Sequence, residues 1–179
     1  MTKPFRYALF FTIPIIVILD QWSKWLILSE QKFNALGCLD QTQRCGQIEV
    51  VSFFDLTMVW NRGISFGIGQ SEGLMRWFLV LMTTGIAIGF TVWLLRAARR
   101  FTGIALALVI GGAFGNVIDR VRFGAVVDFL DFSGILRPYF FNYVFNVADA
   151  AISVGAVLLF ADQFLMSRED KTAGAVNEE

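Results

Sequence analysis

The residues of this sequence best suited to acid–base chemistry are aspartates placed inside two apolar stretches. Charged side chains in an apolar segment are costly and usually face a protein interior, a partner or water. They therefore mark the part of the chain where a functional site should be sought. The first stretch is GGAFGNVIDRVRFGAVVDFLDF, and its polar residues include Asn116, Asp119, Arg120, Asp128 and Asp131.

The second stretch, FNVADAAISVGAVLLF, places Asn146 and Asp149 near the start of another apolar run. Asn146, Asp149 and Ser153 are spaced i, i+3 and i+7, so they share one face of a helix. We expect Asp149 to lie about six residues into a membrane span, near its outer end. One aspartate from each stretch can then meet the other at the same depth.

Two carboxylates held together in a dry cleft do not both ionise easily, so they share a proton and divide the roles of base and acid. Such a pair activates water for peptide hydrolysis without a nucleophilic serine or cysteine, a histidine or a metal ion. The residue types alone do not choose among Asp119, Asp128 and Asp131 as the partner of Asp149. In the structural alternative, these aspartates pair with nearby arginines or cap helices.

The composition indicates a protein that crosses a membrane several times. Of the 179 residues, 56% are hydrophobic, whereas soluble domains average about 45–50%, and the mean hydropathy is +0.60. The formal net charge is zero, so no basic patch indicates a nucleic-acid partner. The chain contains no histidine, which excludes histidine triads and histidine-ligated metal sites. We therefore expect neither a metal nor another cofactor.

Four apolar runs predict an all-α membrane protein of a single domain. The polar connection 29–73 contains β-branched and aromatic runs, which predict a small extracytoplasmic β-rich region between the first and second helices. Gly85 and Gly89 in the second span have the spacing of a face for close helix packing. We place four transmembrane helices at about 5–28, 74–95, 101–120 and 143–166, with a disordered tail at about 168–179.

The distribution of basic residues predicts the orientation. Four spans put both termini on one side, and that side carries its Lys and Arg in short segments close to the spans, such as Arg96–Arg100. We therefore predict cytoplasmic termini, with the connections 29–73 and 121–142 outside. Cys38 and Cys45 then lie on the oxidising side, where we expect them to form a disulfide.

Asp20 and Lys24 interrupt the first span with an i, i+4 pair in the order that favours an ion pair. Lys24 can extend toward the outer surface while Asp20 holds it, which indicates a structural or site-supporting role.

Two other classes of protein also place carboxylates in membranes. A proton-coupled transporter or channel subunit usually shows internal repeats, which this chain lacks, and a non-catalytic scaffold does not account for the carboxylates.

Four motifs together resemble the lipoprotein signal peptidase family, also called signal peptidase II. They follow one another in the family's order across residues 20–155. The departures are Ile64 and Ser65 in place of two usual alanines, and Ala150 where serine is common. The motifs are DQWSK at Asp20–Lys24, VWNRGISFGI at Val59–Ile68, the stretch Gly111–Phe132, and FNVADAAISVG at Phe145–Gly155.

The resemblance implies an aspartyl endopeptidase of the bacterial cytoplasmic (inner) membrane, with its active site facing the outer side. The implied reaction removes the signal peptide from diacylglyceryl-modified prolipoproteins by cleavage just before the lipidated cysteine, and the cyclic peptide globomycin inhibits it. The implied partners are these prolipoproteins and membrane lipid, and we expect a monomer. The implied catalytic pair is Asp128 and Asp149, with supporting residues Asp20, Lys24, Asn61, Gly63, Asn116, Asp119, Arg120 and Asn146.

Overall fold

The computed structural model describes residues 3–41, 44–63, 73–132 and 143–176. Within those ranges, four helices are long and apolar enough to cross a membrane, and they stand beside a small antiparallel sheet. A short helix, α2 (Gln31–Ala35), and a 3-10 turn, Cys38–Asp40, follow the first long helix. The long helices are α1 (Lys3–Leu28), α3 (Leu74–Arg96), α4 (Arg100–Phe123) and α5 (Val147–Val176).

Helix α4 is the centre of the bundle and packs against α1, α3 and α5. The apolar segment of α4 is 67% buried, whereas the apolar segments of the other three long helices are only 17–22% buried. Those three helices expose large apolar side chains, including Phe11, Leu81 and Phe160. Such an outer surface suits a lipid surrounding rather than water.

Glycines permit the close approach of α4 and α5. A β-carbon at Gly112 would lie 2.3 Å from the carbonyl oxygen of Ala148, and one at Gly155 would lie 2.7 Å from the carbonyl oxygen of Ala105. Both contacts are with backbone atoms, which cannot move aside as a flexible side chain can. The two helix backbones therefore pack at a distance that only glycine allows at these positions.

The close-packing face predicted at Gly85 and Gly89 is wrong. A β-carbon at either position would meet nothing within 4 Å. Helix α3 instead packs through a different face, where the fully buried Leu94 contacts a cluster that includes Leu106 and Ile110 of α4. Glycine spacing alone did not reveal which face of the helix meets a neighbour.

The sheet draws on two separate connections of the chain. Two of its strands lie between α1 and α3, and the other two lie between α4 and α5. The prediction that the β-rich region lies between the first two spans is therefore not confirmed for the sheet as a whole. A short apolar run such as that around Val126 cannot be distinguished from the end of a helix by its periodicity. In the order in which they pair, the strands are β1 (Arg44–Val51), β2 (Phe54–Asn61), β3 (Val126–Asp131) and β4 (Val144–Phe145).

Helix α5 begins later than predicted. It starts at Val147 rather than Tyr143, because β4 pairs with β3 before the helix begins. Asp149 therefore lies in the first helical turn instead of about six residues into the span. At its other end the helix continues to Val176, through most of the tail that was predicted to be disordered.

The predicted disulfide between Cys38 and Cys45 is confirmed, with their Cα atoms 5.4 Å apart. The Cys38 side chain is fully buried, and its carbonyl oxygen accepts a hydrogen bond of 2.8 Å from the indole Nε1 of Trp60. The disulfide-closed segment is thereby joined to β2 at the residue before Asn61. This contact belongs to a core that also contains Ile27, Phe33, Met58, Val127 and Phe129.

Candidate active site

Asp128 lies on β3, and its side chain is buried, with 1% exposed. The chain leaves α4 through Gly124, whose φ of 79° is in the left-handed region that favours glycine, and then enters the strand. The two oxygens of Asp128 accept hydrogen bonds from amide groups, 3.0 Å from Nδ2 of Asn61 and 2.6 Å from Nδ2 of Asn146. Strand pairing with β2 thus presents Asp128 to Asn61.

Gly63 fixes the orientation of the Asn61 amide. The backbone N–H of Gly63 donates to Oδ1 of Asn61 at 2.9 Å, which leaves Nδ2 free to donate to Asp128. Gly63 has a φ of 99°, and a β-carbon there would lie 2.5 Å from Cδ1 of Leu79. The positive φ favours glycine at this turn, whereas the contact with the flexible end of the Leu79 side chain can be relieved by a small movement. The two departures from the family pattern that follow, Ile64 and Ser65, lie outside the described residues.

Asp149 is positioned by the start of α5 and is half-buried. Oδ1 of Asn146 accepts the backbone N–H of Asp149 at 2.8 Å, which is the arrangement of a helix N-cap. Oδ1 of Asp149 accepts a hydrogen bond of 2.7 Å from Nδ2 of Asn116 on α4. The unpaired N–H groups at a helix N-terminus favour a negative charge at this position.

Two asparagines connect the aspartates. Nδ2 of Asn146 lies 2.6 Å from Asp128 and 3.2 Å from Oδ1 of Asn116, while Nδ2 of Asn116 donates to Asp149. The two aspartates are also close enough for the charge of Asp149 to act on Asp128. The structure therefore brings the two residues singled out by the resemblance into one site.

Burial and a like charge perturb the acidity of Asp128. Its pKa is raised from 3.8 to about 7, first by burial and second by the charge of Asp149. The hydrogen bonds from Asn61 and Asn146 act in the opposite direction and lower this pKa. A carboxyl group that keeps its proton near neutral pH, beside a second carboxylate, can act as a general acid.

We expect the raised pKa of Asp128 to make the folded protein lose stability as the pH rises from about 4 to about 7. In that window the folded state binds this proton more tightly than the unfolded chain, so the slope reaches at most about 1.4 kcal/mol per pH unit. Thermal unfolding of the purified protein in detergent, measured across that range, should show the trend, and Asp128→Asn should remove this contribution. Identical pH dependence in the wild type and the variant would contradict it.

Asp20, Lys24 and Asp119 form a buried ion cluster next to the pair. Nζ of Lys24 lies 2.8 Å from Oδ2 of Asp20 and 2.8 Å from Oδ2 of Asp119, and none of the three side chains is more than 2% exposed. The predicted ion pair between Asp20 and Lys24 is confirmed. The prediction that Lys24 extends toward the outer surface is wrong, because a second carboxylate from α4 holds it inside.

The structure also distinguishes the aspartates that the residue types left equivalent. Asp131 accepts a hydrogen bond of 2.8 Å from Thr57 and pairs with Arg44 at 3.3 Å, so it belongs to a different cluster. Asp119 is engaged by Lys24 and by Nε2 of Gln21 at 2.8 Å. Gln21 was missed in the sequence, although its place between Asp20 and Lys24 in a polar motif was a signal.

Arg120 lies beside the pair. Its Nη1 donates to the carbonyl oxygen of Asn116 at 3.4 Å, and its guanidinium interacts electrostatically with Asp149 and Asp128. The described part of the chain contains no group of three or more His, Cys, Asp or Glu side chains that could hold a metal ion. The candidate site is thus built from carboxylates, amides and one guanidinium group.

A row of aromatic rings extends from the pair along the sheet. The ring centroids of Phe54 and Phe132 are 4.8 Å apart, those of Phe132 and Phe145 are 5.8 Å apart, and those of Phe145 and Tyr143 are 6.5 Å apart. Tyr143 is 57% exposed, and the pKa of its phenol is raised by burial and then by the charges of Asp149 and Asp128. An apolar surface therefore begins close to the two carboxylates.

Comparisons with known proteins identify the family of this chain. The chain is 40% identical to a lipoprotein signal peptidase of Sphingopyxis alaskensis, over 95% of this chain and 92% of the relative. It is also 40% identical to one of Methylobacterium radiotolerans, over 96% of this chain and 94% of the relative. A bacterial membrane enzyme solved by the in meso method at 2.3 Å superposes with a TM-score of 0.70, at 26% identity and with 89% of each chain covered. Residues 12–165 match the family described as signal peptidase (SPase) II, and the chain belongs to that family.

Proposed function

We propose that this protein is a lipoprotein signal peptidase that cleaves diacylglyceryl-modified prolipoproteins just before the lipidated cysteine, with Asp128 and Asp149 as its catalytic pair. One observation carries the proposal. A buried carboxyl group with a pKa of about 7 meets a second carboxylate at a helix N-terminus, through the amides of Asn116 and Asn146. The named relatives are lipoprotein signal peptidases, and their family is of the aspartic type.

The proposed reaction begins with one proton on the pair. Burial favours that proton on Asp128, whereas the half-buried Asp149 at the helix N-terminus carries the negative charge. Asp149 removes a proton from a water molecule as its oxygen attacks the carbonyl carbon before the cysteine. Asp128 gives its proton to the carbonyl oxygen, which forms a tetrahedral intermediate with two hydroxyl groups.

The intermediate then collapses. One of its hydroxyl groups returns a proton to Asp128 as the carbonyl is restored and the carbon–nitrogen bond breaks. Asp149 passes the proton that it took from water to the leaving amine. Both carboxyl groups thereby return to their starting protonation state, and no covalent acyl-enzyme forms.

The surroundings of the pair support an apolar peptide substrate. The aromatic row Phe54, Phe132, Phe145 and Tyr143 offers an apolar surface beside the scissile bond. Arg120 supplies a positive charge close to both carboxylates, where it can stabilise negative charge that develops during the attack.

The proposal includes the membrane arrangement: a monomer surrounded by lipid in the cytoplasmic membrane, with cytoplasmic termini and the sheet and site on the outer side. The site lies where α4 ends and α5 begins, whereas the basic turn at Arg96–Arg100 joins α3 to α4 at the other end of the bundle. A membrane-impermeant thiol reagent should label a cysteine introduced at the exposed Val50 of β1 in cells with a permeabilised outer membrane. Labelling of a cysteine introduced at Arg96 instead would show that the orientation is the opposite of the proposed one.

Cleavage of a purified diacylglyceryl-prolipoprotein by the purified protein tests the function. We expect release of the signal peptide and a mature product that begins at the lipidated cysteine, with inhibition by globomycin. The same precursor without the diacylglyceryl group is the matched control and should be cleaved far more slowly. If the folded protein leaves the lipidated precursor intact, the proposed function is wrong.

A further inference from the structure

A buried carboxylate holds the backbone directly before Asp128. Oδ2 of Asp119, a fully buried residue of α4, accepts the N–H of Val127 on β3 at 3.0 Å. Oδ1 of the same carboxylate accepts a hydrogen bond of 2.8 Å from Nε2 of Gln21. The carboxylate therefore fixes the main chain of the strand one residue away from Asp128.

A second buried carboxylate holds the backbone directly before Asp149. Oδ1 of Asp20, a fully buried residue of α1, accepts the N–H of Ala148 at 2.9 Å. This N–H belongs to the first turn of α5, where backbone donors have no partner within the helix. A β-carbon at Gly115 would lie 2.6 Å from Oδ2 of Asp20, so glycine leaves the space that this carboxylate occupies.

Lys24 joins the two carboxylates. Its Nζ lies 2.8 Å from Asp20 and 2.8 Å from Asp119, and it donates to Oδ1 of Asn116 at 3.4 Å. Since Oδ1 of Asn116 faces the ammonium group, its Nδ2 is turned toward Asp149, to which it donates. One cation therefore connects the supports of both members of the pair.

We propose that Asp20, Lys24 and Asp119 act as a clamp that sets the separation of Asp128 and Asp149. The inference rests on the proposed function, because it assigns the three residues a positioning role for that catalytic pair. Without Lys24, the two supporting carboxylates would repel each other, and each would carry its segment of main chain with it. Stability alone gives weak grounds for such a cluster, since buried ion pairs are often replaced by apolar groups at little cost.

The double variant Lys24→Met/Asp20→Asn separates the clamp from simple charge compensation. It removes one positive and one negative charge, so the net charge of the cluster is unchanged, but the thioether that replaces the ammonium group can no longer join the two supports. A matched control is Arg99→Met/Asp162→Asn. That double variant breaks another ion pair, of 3.3 Å, whose carboxylate is buried on α5 at the opposite end of the bundle.

The clamp predicts that kcat of the double variant falls by about 10²-fold while KM changes by less than about threefold, because misplacement of reacting groups by about 1 Å has effects of that size. It also predicts that the two apparent pKa values of the pH–rate profile move closer together, since carboxylates farther apart interact less. A loss of stability alone would lower the amount of folded enzyme but would not move those pKa values. The control should keep the wild-type profile.

Wild-type kcat and an unchanged interval between the two apparent pKa values in the folded double variant would overturn the clamp. If that variant does not accumulate, Lys24→Met/Asp119→Asn also keeps the net charge of the cluster and removes the ammonium group, and it gives the same test with the same expected and contrary results. The assay is run beside Asp149→Asn. If Asp149→Asn cleaves normally, the catalytic pair itself is wrong, whereas an inactive Asp149→Asn with a normal clamp variant rejects only the clamp.

Discussion

Replacement of either Asp128 or Asp149 by asparagine should lower kcat for cleavage of a diacylglyceryl-prolipoprotein by at least about 10³-fold, and the double variant should be little worse. Asparagine has almost the same shape as aspartate but cannot accept or donate the proton that the reaction moves. Because the proposed mechanism uses the two carboxylates as one unit, the loss of the first should remove most of what the second contributes. Rates measured on the purified single and double variants with the same precursor give the comparison.

The control for this prediction is Asp131→Asn. Asp131 is buried on the same strand as Asp128, but it pairs with Arg44 and Thr57 rather than with Asp149. We expect this variant to keep most of its activity and to lose mainly stability. Globomycin binding should persist in the single variants of the pair, which separates loss of chemistry from loss of the fold. Near-wild-type cleavage by a folded, membrane-inserted Asp149→Asn would end the aspartyl assignment for these residues.

The sequence predicted the helices of this protein better than its strands. Long apolar runs have few alternatives to membrane helices, because a lipid core leaves every backbone polar group to be satisfied within the segment. The strand from Val126 to Asp131 is short and buried, and its polar residues Asp128 and Asp131 are three positions apart, so no alternation of apolar and polar residues marked it as β. Its assignment depends on pairing with β2, which lies much earlier in the chain, and local sequence does not encode that partner.

Local sequence also fails to identify the distant partners of single residues in the candidate site. The types and spacing of polar residues indicated which segments form the candidate site, and the resemblance indicated Asp128. Composition could not separate Asp119 from Asp128, because both are aspartates in apolar surroundings. What separates them is the position of Lys24, which pairs with Asp119, whereas Asp128 is surrounded by amide groups. The difference between the two aspartates depends on the distance between Lys24 on α1 and Asp119 on α4. The spacing of residues within one helix does not reveal that distance.

The second large expected effect comes from the close contact between α4 and α5. Gly112→Ala should destabilise the protein by about 1–3 kcal/mol and also lower kcat by about 10²-fold in the fraction that folds. The added β-carbon would lie 2.3 Å from the carbonyl oxygen of Ala148 and 2.8 Å from Cγ1 of Ile152. Since the nearest contact is backbone, α5 has to move away from α4. Ala148 is the neighbour of Asp149, so the displacement reaches the carboxylate directly.

Gly85→Ala is the matched control, because a β-carbon there meets nothing within 4 Å on a helix of similar hydrophobicity. Alanine favours a helix over glycine by about 1 kcal/mol, so this variant should be as stable as the wild type or slightly more stable, with unchanged kcat. Thermal unfolding in detergent and the rate per folded enzyme measure the two effects separately. If Gly112→Ala unfolds and cleaves like Gly85→Ala, then α4 and α5 do not pack at the distance described, and the contact between Asn116 and Asp149 that depends on this packing has to be reconsidered.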